Sequence, residues 1–118
     1  MYIYIVFIIL FTEAEAIVKG SPEVHIEEGS QLAIECNVSG ATSPPIYIFW
    51  YHNGSMVNYE KHRDLSVKHE KYTSSLVVSK VTSSDAGIYT CDPHLAISAN
   101  VTVHVVTGEL VYSACCYR

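Results

Sequence analysis

Apolar and polar residues alternate along several short stretches of the 118-residue chain. The alternation is clearest over residues 32–39, where every second residue is apolar, as in a strand with one buried face. Asn53-Gly54 predicts a hairpin turn that returns through Met56 and Val57, because both turn residues tolerate a positive φ. Turn signals recur about every 8 to 12 residues without a helical period, which is typical of an all-β sandwich. The other predicted strands cover residues 46–51, 76–79, 87–92 and 99–105.

Three residues within these strands narrow the class of fold. Cys36, Trp50 and Cys91 follow each other in the Cys…Trp…Cys order of immunoglobulin domains. In that fold the tryptophan packs against a disulfide that joins the two sheets. The order therefore predicts a Cys36–Cys91 bridge inside a single immunoglobulin-like β-sandwich of the I-set or C2-like variety.

The segment that leads into the second cysteine carries a further signature. Asp85, Gly87 and Tyr89 precede Cys91 in a D-x-G-x-Y-x-C pattern. Tyr89 stands two residues before the cysteine, which is the position of a tyrosine corner. We expect Asp85 and Gly87 to shape the corner and the Tyr89 hydroxyl to hold it in place.

Longer stretches make the sequence similar to a narrower family. It resembles the second immunoglobulin domain of the arthropod Dpr (defective proboscis extension response) proteins, and the nematode zwei Ig proteins are similar. The W-Y-x-N…N-Y combination is more specific than the general immunoglobulin signature. The stretches that carry the resemblance are residues 47–53 (YIFWYHN), 57–59, 73–76, 84–91 and 98–105, closed by Gly108-Glu109.

The resemblance implies a neuronal cell-surface or secreted recognition protein that helps to organise synapses. Its partners would be other immunoglobulin-superfamily proteins of the Dpr-interacting kind, with membrane contact only by association or through an anchor outside this chain. Family members make their main partner contact with a first immunoglobulin domain, so the isolated chain is expected to bind weakly or not at all. The alternative is a structural spacer domain, or a truncated gene product, without binding activity of its own.

The ends of the chain differ in composition from its centre. Residues 1–16 are predicted to be a secretory leader, because an apolar run (residues 1–11) precedes Ala14-Glu15-Ala16, a small-x-small cleavage pattern. The alternative is the truncated edge of a longer chain. Residues 17–108 are predicted to form the immunoglobulin-like domain and residues 109–118 an irregular tail, in which Cys115 and Cys116 are free or form intermolecular bridges.

Three N-glycosylation sequons lie in the predicted domain, at Asn37, Asn53 and Asn100. Asn37 and Asn100 follow inward-facing neighbours and are expected to point outward. Asn53 occupies the predicted hairpin tip and is expected to be the most accessible of the three. We expect all three side chains to share one face of the sandwich.

Three aromatic residues, Phe49, Tyr51 and Tyr59, are candidates for a contact patch. Phe49 and Tyr51 alternate with the inward-facing Trp50, so they are expected to face outward. Aromatic side chains dominate the energetics of many protein interfaces. The alternative, that neighbouring strands and loops cover them, stays open.

Composition argues against several other functions. The net charge is −5 with only 7 Lys and Arg residues, whereas a nucleic-acid partner requires clustered basic residues. The 6 histidines lack the spacing of metal ligands, and no Gly-x-Ser-x-Gly motif or phosphate-binding glycine loop occurs. We therefore predict no enzymatic activity, no catalytic residues, no metal and no cofactor.

Overall fold

The computed structural model describes residues 13–58, 64–107 and 110–112. Within this part of the chain the fold is all-β, with one short 3₁₀ helix at Ser83–Asp85. No helix in these ranges has the length and apolar character needed to cross a membrane. The strands are β1 Glu15–Val18, β2 Glu23–Glu27, β3 Leu32–Ser39, β4 Ile48–His52, β5 Ser55–Met56, β6 Leu65–His69, β7 Thr73–Val78, β8 Gly87–Pro93, β9 Ala99–Thr107 and β10 Leu110–Tyr112.

Two sheets enclose the core. The four-stranded sheet has the order β1-β3-β7-β6, and the six-stranded sheet has the order β10-β9-β8-β4-β5, with β2 paired in parallel to β9. Every other neighbouring pair is antiparallel. Each long strand buries alternate residues, as the period of two requires. The fully buried core side chains include Cys36, Trp50, Leu76, Tyr89, Cys91, Val103 and Val105.

The observed strands extend beyond both predicted boundaries of the domain. The structure extends the sandwich to β1, which begins at Glu15 and buries Ala16, so the predicted boundary at residue 16 falls inside a paired strand. Residues 110–112, predicted as part of an irregular tail at 109–118, instead form β10 against the end of β9. Leu110, Val111 and Tyr112 favour a strand, and the end of β9 beyond its pairing with β8 offers free backbone groups.

The predicted second strand begins later than expected. β4 starts at Ile48, and Ile46 and Tyr47 lie in the preceding loop, which contains Pro44 and Pro45. Proline has no backbone N–H to donate to a ladder, so pairing starts beyond it. Residues 1–12, Tyr59, Cys115 and Cys116 lie outside the described residues.

Candidate functional site

The disulfide expected from the sequence joins the two sheets. Cys36 on β3 and Cys91 on β8 are bonded, with their Cα atoms 6.5 Å apart. Trp50 is the direct register partner of Cys91, and all three side chains are fully buried. Directly opposed side chains on one face lie within contact distance, so the indole packs beside the bridge.

The indole nitrogen is satisfied by a buried hydroxyl. Trp50 Nε1 donates to Ser74 Oγ at 2.8 Å, and Ser74 in turn lies 3.0 Å from Nδ1 of His69. Indole is only a donor, so the Ser74 hydroxyl accepts from Trp50, and its contact with the imidazole is a hydrogen bond whose direction depends on the His69 tautomer. Ser74 is fully buried, whereas His69 is exposed, so the hydroxyl that accepts from the indole is shielded from solvent and stabilises the core.

The corner before Cys91 has the geometry expected of its signature residues. Tyr89 Oη donates to the backbone oxygen of Asp85 at 2.6 Å, which is a tyrosine corner. The Asp85 carboxylate accepts from the backbone N–H of Thr82 at 2.8 Å and so caps the 3₁₀ helix. Gly87 has a φ of +138°, in a region that residues with side chains rarely adopt.

Gly87 is also in close contact with the hairpin tip. A Cβ atom at Gly87 would lie 2.5 Å from Oδ1 and 2.7 Å from Nδ2 of Asn53. Asn53 Oδ1 accepts a hydrogen bond from the backbone N–H of Ile88 at 2.9 Å. The Asn53 amide therefore lies directly over Gly87 and holds the β4–β5 hairpin against the start of β8.

Asn58, the second asparagine of the W-Y-x-N…N-Y combination, forms hydrogen bonds with backbone groups at the edge of β4. Asn58 Oδ1 accepts from the backbone N–H of Trp50, and its Nδ2 donates to the carbonyl of Ile48 at 3.1 Å. The side-chain amide thus takes the place of a neighbouring strand beyond the short β5. The most family-specific residues in this stretch are used inside the fold, and the sequence pattern alone did not indicate that role.

Aromatic residues of β4 and of the loops beside it form a partly exposed surface on the outer side of the six-stranded sheet. We call it the aromatic face; it comprises Tyr47, Phe49, Tyr51, Met56 and His94. The rings of Tyr47 and Phe49 stack with centroids 4.1 Å apart, and His94 lies 5.1 Å from Tyr47. Met56 is the register partner of Tyr51 and is 38% exposed, as is Tyr47.

Polar residues border the aromatic face. Asp92 lies directly opposite Phe49, and Thr90 lies directly opposite Tyr51, both on β8. Of the predicted patch, Phe49 and Tyr51 face outward and are half-buried, whereas Tyr59 lies outside the described residues. The pattern predicted the β4 residues because of their alternation, but Met56 and His94 join them only through strand pairing and loop packing.

The three sequons do not share one face of the sandwich, contrary to the expectation from the sequence. Asn37 points from β3 to the outer side of the four-stranded sheet, and Asn100 points from β9 to the outer side of the six-stranded sheet. Asn53 lies at the end of the sandwich, in the β4–β5 turn. The strands that carry Asn37 and Asn100 belong to opposite sheets, so side chains that point outward from them diverge.

The described part of the chain offers no grouping for metal chemistry. Within residues 13–58, 64–107 and 110–112, no three His, Cys, Asp or Glu side chains are arranged to hold a metal ion. Elsewhere on the six-stranded sheet, His25 and His104 stack at 4.5 Å, and Nε2 of His104 lies 3.4 Å from Oε1 of Glu23. That nitrogen is buried and makes no hydrogen bond to the described residues.

Known proteins that are similar to this chain are much longer than it, and the chain matches one segment of each. Bovine transmembrane and immunoglobulin domain-containing protein 1 is 35% identical over 65 residues, which are 55% of this chain and 23% of that protein. Human coiled-coil domain-containing protein 141 is 34% identical over 89 residues, which are 73% of this chain and 6% of that protein. The chain thus spans less than a quarter of the length of either relative.

A solved structure is similar over most of the chain. A chain in the crystal structure of Dpr2 Ig1-Ig2 in complex with DIP-Theta Ig1-Ig3 superposes with a TM-score of 0.67 and 27% identity. The match covers 81% of this chain and 51% of that chain. The family model of the immunoglobulin domain matches residues 16–94. That range is more than half of the chain, which therefore belongs to the immunoglobulin domain family.

Proposed function

We propose that the chain is the extracellular domain of a Dpr-like recognition protein at the neuronal surface, which binds other immunoglobulin proteins in synapse organisation. The aromatic face is the observation that carries this proposal. Its stacked rings, the exposed Tyr47 and the half-buried Phe49, lie on the outer side of a disulfide-linked sandwich. The 27% identity to a chain of the Dpr2–DIP-Theta complex supports an immunoglobulin protein as the partner.

The chemistry of the aromatic face suits protein contact. Aromatic and methionine side chains are enriched in interface centres. Aromatic rings bury much apolar area with few rotatable bonds, and the flexible methionine adapts its shape to a partner. Asp92 and Thr90 supply the polar border that such centres have. Because strands hold the face, little ordering entropy is lost on binding. A flat sheet surface of this kind fits the flat sheet of a second sandwich.

The disulfide supports an extracellular location. Cys36 and Cys91 are bonded through the core, and such bridges persist mainly in oxidising compartments. Three sequons within the domain fit the same compartment, because N-linked glycans are added to secreted and surface proteins. A leader at residues 1–16 would direct the chain there.

The second candidate function is that of a spacer domain. One observation favours it: Asn53 and Asn58, from the most family-specific combination, are bonded within the domain. Those residues support the fold and leave the partner contact to another domain. In that case the aromatic face contributes little to binding.

Surface plasmon resonance with immobilised DIP-Theta Ig1–Ig3 tests the proposal. One analyte is the isolated chain, and the other is the chain fused behind the first immunoglobulin domain of Dpr2. We expect weak or no binding by the isolated chain and clear binding by the fusion, since the fusion adds the contact area that a stable interface of about 800 Å² per partner needs.

The controls are the first domain of Dpr2 alone and the fusion with its Cys36–Cys91 bridge reduced. If the first domain alone binds as tightly as the fusion, the chain is a spacer. If the isolated chain binds as tightly as the fusion, the spacer function is excluded and this domain is a recognition module by itself.

A further inference from the structure

The three sequon asparagines share a hydrogen-bonding arrangement. Asn37 Oδ1 accepts from the Thr73 hydroxyl at 2.8 Å, and Asn100 Oδ1 accepts from the Thr90 hydroxyl at 2.7 Å. In both cases the threonine is the residue directly opposite on the neighbouring strand. The amide oxygen is held, and Nδ2, the atom to which a glycan is bonded, makes no hydrogen bond to the residues that the structure describes.

Asn53 differs from the other two in what lies beside its Nδ2 atom. Its oxygen is also held, by the backbone N–H of Ile88, but its nitrogen lies only 2.7 Å from the position of a Cβ at Gly87. One side of that nitrogen therefore faces Gly87 so closely that not even a methyl group would fit between them. A sugar on that side of Nδ2 would have to displace β8 or pull the amide away from Ile88.

We propose that Asn37 and Asn100 are glycan attachment sites, whereas Asn53 stays unmodified and is a positioning residue that holds the hairpin on Gly87. The assignment of glycans rests on the proposed extracellular function. It reverses the order of accessibility expected from the sequence, because exposure of the Asn53 backbone turn does not free its amide. The role of Asn53 holds in any compartment.

Asn37 and Asn100 differ in their position relative to the aromatic face. A glycan on Asn37 covers the outer side of the four-stranded sheet, which is the opposite side of the sandwich. Asn100 shares a face with Tyr51, but Thr90 on β8 lies between them, so the separation is two strands, or about 10 Å. A glycan on Asn100 would therefore border the aromatic face on its β9 side.

Site occupancy tests the assignment of glycans. The full chain, carrying an added secretion leader, is collected from insect-cell medium, treated with an N-glycan-removing enzyme in heavy-oxygen water and mapped by mass spectrometry. We expect the heavy-oxygen label at Asn37 and Asn100 and an unmodified Asn53 peptide. Label at Asn53, or its absence from both Asn37 and Asn100, overturns the assignment.

Stability without glycans tests the role of Asn53. The bacterial periplasm forms disulfides, and it yields the chain without N-glycans. Asn53→Gly keeps the turn conformation but removes the amide, and we expect it to raise the unfolding equilibrium constant about tenfold. Asn53→Asp keeps the oxygen that accepts from Ile88 and should remain close to the parent chain.

Asn37→Asp and Asn100→Asp are the matched controls and should leave the urea midpoint unchanged. Equal midpoints for Asn53→Gly and the parent chain would show that the Asn53 amide does not hold the hairpin. Both measurements are made without a partner protein, so a failure to bind DIP-Theta leaves their outcome unaffected. A failure here, in turn, leaves the binding proposal intact.

Discussion

Replacing Cys36 and Cys91 together by alanine is expected to lower the free energy of unfolding by about 4 kcal/mol. The bridge closes a loop of 55 positions, and its loss releases that constraint from the unfolded chain. Domains of this size have a total stability of about 5–15 kcal/mol, so the variant should retain about 1–11 kcal/mol and unfold at a clearly lower urea concentration. Urea denaturation followed by Trp50 fluorescence measures the change.

The control for this variant is the parent chain after reduction and alkylation, which should unfold at a similarly low urea concentration. A loss of less than about 1 kcal/mol would mean that the two sheets hold together without the bridge. In that case packing around Trp50, rather than the disulfide, would be the main source of stability.

Gly87→Ala is expected to cost about 3 kcal/mol. An alanine at a φ of +138° is strained, and such strain alone costs about 1–3 kcal/mol. The added methyl would also meet the Asn53 amide at 2.5 Å, so the hairpin must move as well. Urea denaturation of the variant measures the loss.

Gly29→Ala is the matched control, because Gly29 has a φ of +91° but open space around it. It should lose about 1 kcal/mol, from strain alone. In an Asn53→Gly background the cost of Gly87→Ala should fall, since the amide that the methyl meets is gone. Equal costs for Gly87→Ala with and without Asn53 would rule out the contact as the cause.

The sequence predicted the structure correctly at positions where a residue type has a single physical role in this fold. Cys36, Trp50 and Cys91 indicated the fold because a buried indole beside a bridge between sheets fixes both the order and the facing of three strands. Tyr89 was equally predictable, since its hydroxyl has to reach a backbone oxygen a few residues upstream. The Tyr89 contact follows from short-range spacing, and the Cys36–Trp50–Cys91 cluster follows from the order typical of immunoglobulin domains together with the period of two.

Contacts that depend on tertiary pairing were not visible in the sequence. β2 and β6 are edge strands of 5 residues each, so their alternation of apolar and polar residues is too short to stand out, and β10 pairs with the end of β9. Asn58 is polar and its sequence context predicts a loop residue, although its amide makes the hydrogen bonds to β4 that a neighbouring strand would make. The placement of the sequons on two faces likewise required the order of strands in each sheet.

The most direct test of the central claim is the affinity of a variant in which Phe49 and Tyr51 are both replaced by serine. Within the fusion to the first domain of Dpr2, this change removes the centre of the aromatic face. The matched control is Ala33→Ser with Val77→Ser, an apolar pair directly opposed on the outer side of the four-stranded sheet. Circular dichroism establishes that both variants are folded.

Surface plasmon resonance on DIP-Theta then compares the two variants with the parent fusion. If the aromatic face is the binding surface, the Phe49/Tyr51 variant should lose at least about tenfold in affinity, because truncation of a central aromatic anchor costs about 2 kcal/mol or more. The Ala33/Val77 variant should bind like the parent. Unchanged affinity in the Phe49/Tyr51 variant would contradict the proposal and leave the chain a spacer.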